Sequence, residues 1–293
     1  MEFVSWDLFF GWISMFVDTI NNLFNTCIKL LRINPFDSLD SLATNVVAIV
    51  QGTALMLLTL FFLIEFFKKS MDLQWIKWEN ILMFSIKVLF AKVILDNTVN
   101  IMKYVFGLFN SLSLRVSGAL ANYEDADGNA IVTFLKIGTQ EEIAGNFLTP
   151  EEIVFYRDDG GFLGLARSLK EMELFVPLVL IELVLLVTEV IIFARVFEII
   201  IYTMISPIPL STFIGDEYKQ IGMNFVKGFA AVCLQGVIII TVFIIFTQMS
   251  NLLTIFQDIG LASGSSGILF KSAALAIAVI KSGSWAKKMC GAM

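Results

Sequence analysis

Three windows of this 293-residue chain, residues 46–67, 81–108 and 228–250, are as long and as predominantly apolar as a helix must be to cross a bilayer. A hydrocarbon core of about 30 Å takes about 20 such residues. Lipid offers no hydrogen-bond partner, so each crossing segment must satisfy its backbone internally, as a helix does. The sequence therefore predicts an all-α polytopic membrane protein. Composition agrees: 57% of residues are hydrophobic and 16% charged, and the mean hydropathy is +0.82, outside the range of soluble domains. The opening, MEFVSWDLFFGWISMF, lacks a basic n-region and a small-residue cleavage site, so the chain is expected to be inserted whole. Cys27, Cys233 and Cys290 are odd in number and far apart, which predicts free thiols and neither a disulfide framework nor a CxxC metal site.

A fourth apolar stretch, from Leu174 to Phe213, is about 40 residues long and carries Glu182, Glu189, Arg195 and Glu198, then Pro207 and Pro209. It is either two spans turning near Arg195 or one long helix broken at Ser206-Pro207-Ile208-Pro209. On a continuous helix Glu182 and Glu189 share a face, and Arg195 and Glu198 are spaced as an i, i+3 pair. Polar groups on several sides cannot all face lipid, and carbonyls freed by proline are tolerated only where protein or a cavity satisfies them. The segment is expected to form the buried centre of a homo-oligomer. Beyond ASGSSG at residues 262–267, read as flexible, ILFKSAALAIAVIKSGSW is rich in small residues, which suits a span packed closely on others. The total is five or six transmembrane helices.

Lys68, Lys69 and Lys77, with Trp75 and Trp78 as interfacial anchors, place the loop after the first span in the cytoplasm. The N-terminus and residues 109–173 then lie outside, and Lys281, Lys287 and Lys288 bring the C-terminal tail back inside. The outer loop holds eleven acidic and five basic residues, a balance of -6 that equals the net charge of the whole chain. Thr139 with Glu142 and Thr149-Pro150 with Glu152 read as helix-starting capping boxes, and Asp127-Gly128 as a tight turn. A small folded extracytoplasmic region is expected, either a solvated acidic surface or a docking surface for partner subunits.

Two further helices have polar faces. Asp7, Ser14, Asp18, Asn21, Asn25, Lys29 and Arg32 repeat at helical steps opposite Phe10, Ile13, Val17, Ile20, Phe24 and Leu31, which predicts an N-terminal amphipathic helix. It would lie in the membrane interface or pack sideways on another subunit. In the second span, Ser85, Lys92, Asp96, Asn100 and Lys103 form one stripe, with Lys92 spaced to pair with Asp96. That stripe is either an intramembrane ion pair fixing helix packing or the wall of a wet passage. The chain thus divides into the N-terminal helix and connector (1–45), the first two transmembrane helices (46–108), the acidic loop (109–173), core helices with the proline break (174–255), and a small-residue helix with a cytoplasmic tail (256–293).

The order of features around FARVFEIIIYTMISPIPLSTF, followed by GDEYKQIGMNFVKGFAAVCLQGVIII, resembles the TrbL-like, VirB-six-type inner-membrane subunits of type IV secretion and conjugal transfer systems. Asn224, Phe225 and Lys227 lead into the next span and Gln235 lies within it. The resemblance covers most of residues 46–255 and is nearest to the short versions from conjugative elements of Gram-positive bacteria. It implies a channel or scaffold subunit of the bacterial cytoplasmic membrane that oligomerises, touches other membrane subunits and the secretion ATPases, and aids transfer of single-stranded DNA with its bound protein, or of an effector protein. The residues agree with a non-enzyme: there is no histidine, no Walker-type glycine loop and no G-x-S-x-G. No cofactor, metal or small-molecule substrate is expected, and the net charge of -6 makes any DNA contact transient. The rival reading is a secondary transporter or ion channel, for which a Pro-broken helix near an intramembrane Glu points to a binding site; the two halves nevertheless lack the internal repeat such folds show.

Overall fold

A computed structural model of the chain describes residues 6–71, 78–118, 135, 138–145, 147–148, 150–158, 165–248 and 265–292. The described residues are helical with no strand. In chain order the helices are α1 (Trp6–Arg32), α2 (Phe36–Met71), α3 (Trp78–Asp96), α4 (Thr98–Gly118), α5 (Gln140–Ala144), α6 (Pro150–Asp158), α7 (Leu165–Ile205), α8 (Pro207–Leu210), α9 (Lys219–Gln248) and α10 (Ser265–Cys290), with a 3₁₀ turn at Ser211–Ile214 after α8. Trp75, Lys77, the Asp127-Gly128 pair and Thr149 lie outside the described residues. Three helical stretches, Pro35–Met71, Leu169–Ile205 and Lys219–Phe246, are long and apolar enough to cross a membrane, which fits a membrane protein. The chain divides into two compact units, to both of which α4, α7, α9 and α10 contribute.

The first unit comprises Met1–Arg32, Ser113–Phe193 and Ile238–Ser282. α1 has the predicted amphipathic pattern, but its apolar face is not left for lipid or another subunit. Phe9, Ile13, Val17, Ile20, Phe24 and Leu31 are buried in one core with Ile143, Phe147, Leu178, Leu185, Phe243 and Val279 of the same chain. The stacking is aromatic at both ends: Phe9 lies 6.2 Å from Tyr156 and Phe24 lies 4.7 Å from Phe243, ring to ring. Asn21, on the polar stripe by periodicity, is buried; its amide donates to Leu135 O (3.2 Å) and accepts from Leu135 N (3.0 Å). That pairing satisfies a backbone which would otherwise be orphaned in the core. The capping box forms as predicted, Thr139 Oγ1 accepting from Glu142 N and the Glu142 carboxylate accepting from Thr139 N. Lys170 holds α6 to the start of α7 by pairing with both Glu152 and Glu173 at 3.2 Å.

The second unit comprises Ile33–Leu112, Ala194–Val237 and Gly283–Met293. Here α2 runs antiparallel to α3 and α4 in succession: Phe36 meets Phe106 edge to face, Asp40 pairs with Lys103 (2.5 Å), Gln51 reaches Asp96 (3.2 Å) and Phe62 stacks on Phe84. The window at 81–108 is therefore not one straight span. It is interrupted at Asn97, whose side chain donates to Val93 O (3.0 Å) while the Thr98 hydroxyl donates to Leu95 O (2.8 Å). Such back-bonding lets short polar side chains bend a helix without stranding its carbonyls.

α7 resolves the alternatives for residues 174–213 in favour of one helix of 41 residues, broken at Ser206-Pro207. Pro207 has no N–H for Thr203 O, and the Ser206 hydroxyl donates there instead (2.6 Å). The chain then folds through α8 and the 3₁₀ turn, which pack on α2 and α3. Ser265–Gly267, read as flexible from sequence, open α10 as helix.

An ion cluster secures that turn. Asp216 pairs with Lys87 (2.7 Å) and Lys69 (3.9 Å), Glu217 pairs with Lys68, and Lys69 pairs with the buried Glu65 (3.6 Å). The hydrogen bond from Lys87, with its charge and that of Lys69, holds the Asp216 carboxyl below its ordinary 3.8. A depressed carboxyl stabilises the fold at all pH values above 3.8, and that contribution disappears as pH falls below 3.8 through the folded value. The side chain is 57% exposed, so solvent screening limits the effect to roughly 0.2–1 kcal/mol. Thermal unfolding in detergent at several pH values checks this: Asp216→Asn is expected to lower stability at pH 7, with the deficit closing below pH 3.8.

Candidate functional site

The polar residues of α7 do not form a single site. Glu182 and Glu189 lie in the first unit, half-buried, seven residues apart on one face. Beside them Cys27 packs with its thiol 3.9 Å from Leu185 O, and burial, reinforced by Glu189, pushes that thiol up to about 12, which keeps it neutral and unreactive. Arg195 and Glu198 lie in the second unit. The expected i, i+3 pairing between them is not made. Arg195 is 6% exposed and turns to α9, where Nε donates to Val232 O (3.0 Å) and Nη2 donates to Cys233 O (3.2 Å). A helical carbonyl bonded to its own N–H retains a second lone pair, so two successive carbonyls can hold a guanidinium without breaking the helix.

Gly236 makes the approach possible. A Cβ there would lie 2.4 Å from Arg195 Cζ and from both terminal nitrogens, a separation no side chain tolerates. The same device recurs along α9. A Cβ on Gly228 would meet the Tyr202 hydroxyl at 3.1 Å, and one on Gly222 would meet Pro209 O at 2.9 Å, where Gly222 N also donates to Thr212 Oγ1 (3.1 Å). Small residues that let backbones and polar groups close on one another are how helices associate where lipid removes the hydrophobic drive. Periodicity could not reveal this site. The sequence signal was three glycines, Gly222, Gly228 and Gly236, spaced along a mostly apolar helix.

Glu198 instead faces a cavity of about 560 Å³ together with Gln235, Ser284, Lys287 and Lys288, bounded by Val232 of α9 and Gly283 of α10. Gln235, singled out as a polar residue inside a span, thus meets Glu198 at one cavity. Pro207 is buried and Pro209 half-buried at the break below α7. On the second-unit hairpin, Ser85, Lys92, Asp96 and Asn100 are exposed, whereas Lys103 is engaged by Asp40. Among the described residues no ion pair joins Lys92 to Asp96; Asp96 accepts from Gln51. No group of three or more potential metal ligands occurs among the described residues. No family model, no curated protein and no solved structure matches the chain.

The Arg195 seat yields a double-mutant cycle. Gly236→Ala overpacks the contact and is expected to cost about 1–3 kcal/mol in detergent unfolding. Arg195→Leu removes the group that the new methyl strikes, so the double variant is expected to be more stable than the sum of the single changes allows. Additive losses would show that the two residues are not in contact.

Proposed function

We propose that the chain is a membrane-embedded channel or scaffold subunit, of the TrbL-like, VirB-six type, in a type IV secretion or conjugation machine of a bacterial cytoplasmic membrane. It performs no chemistry of its own. α2, α3 with α4, α7, α9 and α10 supply five spans, with the N-terminus and residues 109–173 outside and the C-terminus cytoplasmic. The ends of α2 and α7 support that reading, since Lys68 and Lys69 pair with the turn after α8 and share its side.

The observation that carries the reading is the stripe on α3. Lys92 and Asp96 are exposed on a helix whose other exposed residues include Leu82, Met83, Ile86, Leu89, Phe90 and Val93. Each charge left in lipid would cost about 2.5 to 3.5 kcal/mol near the bilayer centre. A second copy, or a wet passage between copies, removes that cost. The homo-oligomer is thus built on α3, where charged groups remain exposed, and Arg195 is internal to the subunit. Other secretion subunits, the secretion ATPases and the transient DNA–protein or effector cargo would be its partners. A solute transporter or ion channel is the second reading, favoured by the charged cavity beside Glu198 near the proline break; solute uptake by proteoliposomes would select it.

Charge exchange tests the main reading. The wild-type protein is expected to run as an oligomer in mild detergent and in nanodiscs. Asp96→Lys should dissociate it and abolish transfer in cells, and Lys92→Asp with Asp96→Lys should restore both. A monomeric wild type whose transfer is indifferent to Asp96→Lys would contradict the proposal.

A further inference from the structure

The cavity of the second unit holds charges of both signs that do not neutralise each other. Glu198 projects into it from α7 and Lys287 and Lys288 from the last turns of α10, with Gln235 and Ser284 as further polar groups. Among the described residues no ion pair joins Glu198 to either lysine. At about 560 Å³ the space lies within the range of about 300–1,000 Å³ typical of small-ligand sites. A purely anionic ligand would face Glu198, and a purely cationic one would face two lysines. A ligand with an anion at one end and an ammonium at the other satisfies both walls, and Ser284 and Gln235 supply hydrogen bonds between them.

Depth narrows the choice. Glu198 stands seven residues before the end of the apolar helix α7, about 10 Å along its axis, and Lys287 and Lys288 end α10 in the same unit. That is the level at which lysines reach the head groups of a leaflet. We propose that this cavity binds the head group of a membrane phospholipid carrying a primary ammonium, a phosphoethanolamine, with the phosphate on Lys287 and Lys288 and the ammonium on Glu198. Head-group recognition of this kind holds α7 and α10 together within the unit and makes the state of the subunit depend on membrane composition. The inference does not rest on any secretion role: it fails or stands on lipid binding alone, whether or not the oligomer forms.

Native mass spectrometry of the purified protein, titrated with phosphatidylethanolamine, phosphatidylglycerol or phosphatidylcholine of identical acyl chains, is the test. Phosphatidylethanolamine is expected to bind at least tenfold more tightly than phosphatidylcholine, whose methylated ammonium cannot donate to a carboxylate. Glu198→Gln should abolish that preference while leaving phosphatidylglycerol binding unchanged. Lys287→Ala with Lys288→Ala should weaken both phosphatidylethanolamine and phosphatidylglycerol, and Lys287→Arg with Lys288→Arg should restore them. Unfolding temperatures of the variants show that each is folded. Equal binding of the three lipids, or an ethanolamine preference that survives Glu198→Gln, would overturn the proposal. Displacement of the lipid by free phosphoethanolamine at the same affinity would overturn it as well, because the site would then belong to a soluble zwitterion.

Discussion

The second unit depends on one contact: the Arg195 guanidinium laid on the carbonyls of Val232 and Cys233 over the bare backbone of Gly236. An arginine buried in an apolar helix pair is costly unless its donors are met. Here Nε and Nη2 are met by backbone, which cannot be protonated or rotate away. The helix register is fixed in consequence, because sliding α9 by one residue would put a Cβ where the guanidinium lies. Gly228 under Tyr202 and Gly222 under Pro209 fall into place in the same register, so three close approaches share one alignment.

The same logic governs the interruptions. At Asn97 and at Ser206-Pro207 the helix is interrupted, and in both places a short polar side chain donates back to a carbonyl of the preceding turn, at Thr203 O replacing the N–H that Pro207 lacks. Polar groups in apolar helices are therefore handled in two ways. The Arg195 guanidinium, the Ser206 hydroxyl at the break and the Asn97 amide are satisfied inside the unit. Those at Lys92 and Asp96 are displayed. The contrast separates residues that hold a subunit together from residues that remain for something else to meet, and it assigns Arg195 to the first group.

Features of short range were legible in the sequence. The amphipathic repeat of α1 and the Thr139 and Glu142 capping box each follow from residues within a few positions of one another, whereas the break at Pro207 was one of two alternatives that the sequence left open. What met those elements was not legible. The apolar face of α1 predicted a membrane or a partner, yet it is covered by Phe147, Leu178 and Phe243 of its own chain, more than a hundred residues away in sequence. The i, i+3 and i, i+4 spacings of Arg195 with Glu198 and of Lys92 with Asp96 predicted pairs, but acceptors brought in from α9 and a donor from α2 won instead. Spacing on a helix reports which side chains can meet, while burial decides whether a carbonyl or an amide across the packing interface competes better. The cavity joining Glu198, Gln235, Lys287 and Lys288 spans some ninety residues of sequence and had no local signature.

The central claim is that α7 and α9 interlock within one chain, with the open polar surface elsewhere. Cross-linking between cysteines placed at Tyr202 and Gly228, with Cys27, Cys233 and Cys290 replaced by serine, tests it most directly. Two differently tagged copies are co-expressed in one membrane and treated with a short bis-maleimide. The account predicts internal cross-links only, with each tag remaining at the mass of a single chain. A covalent product carrying both tags would place the α7–α9 contact between copies and contradict it.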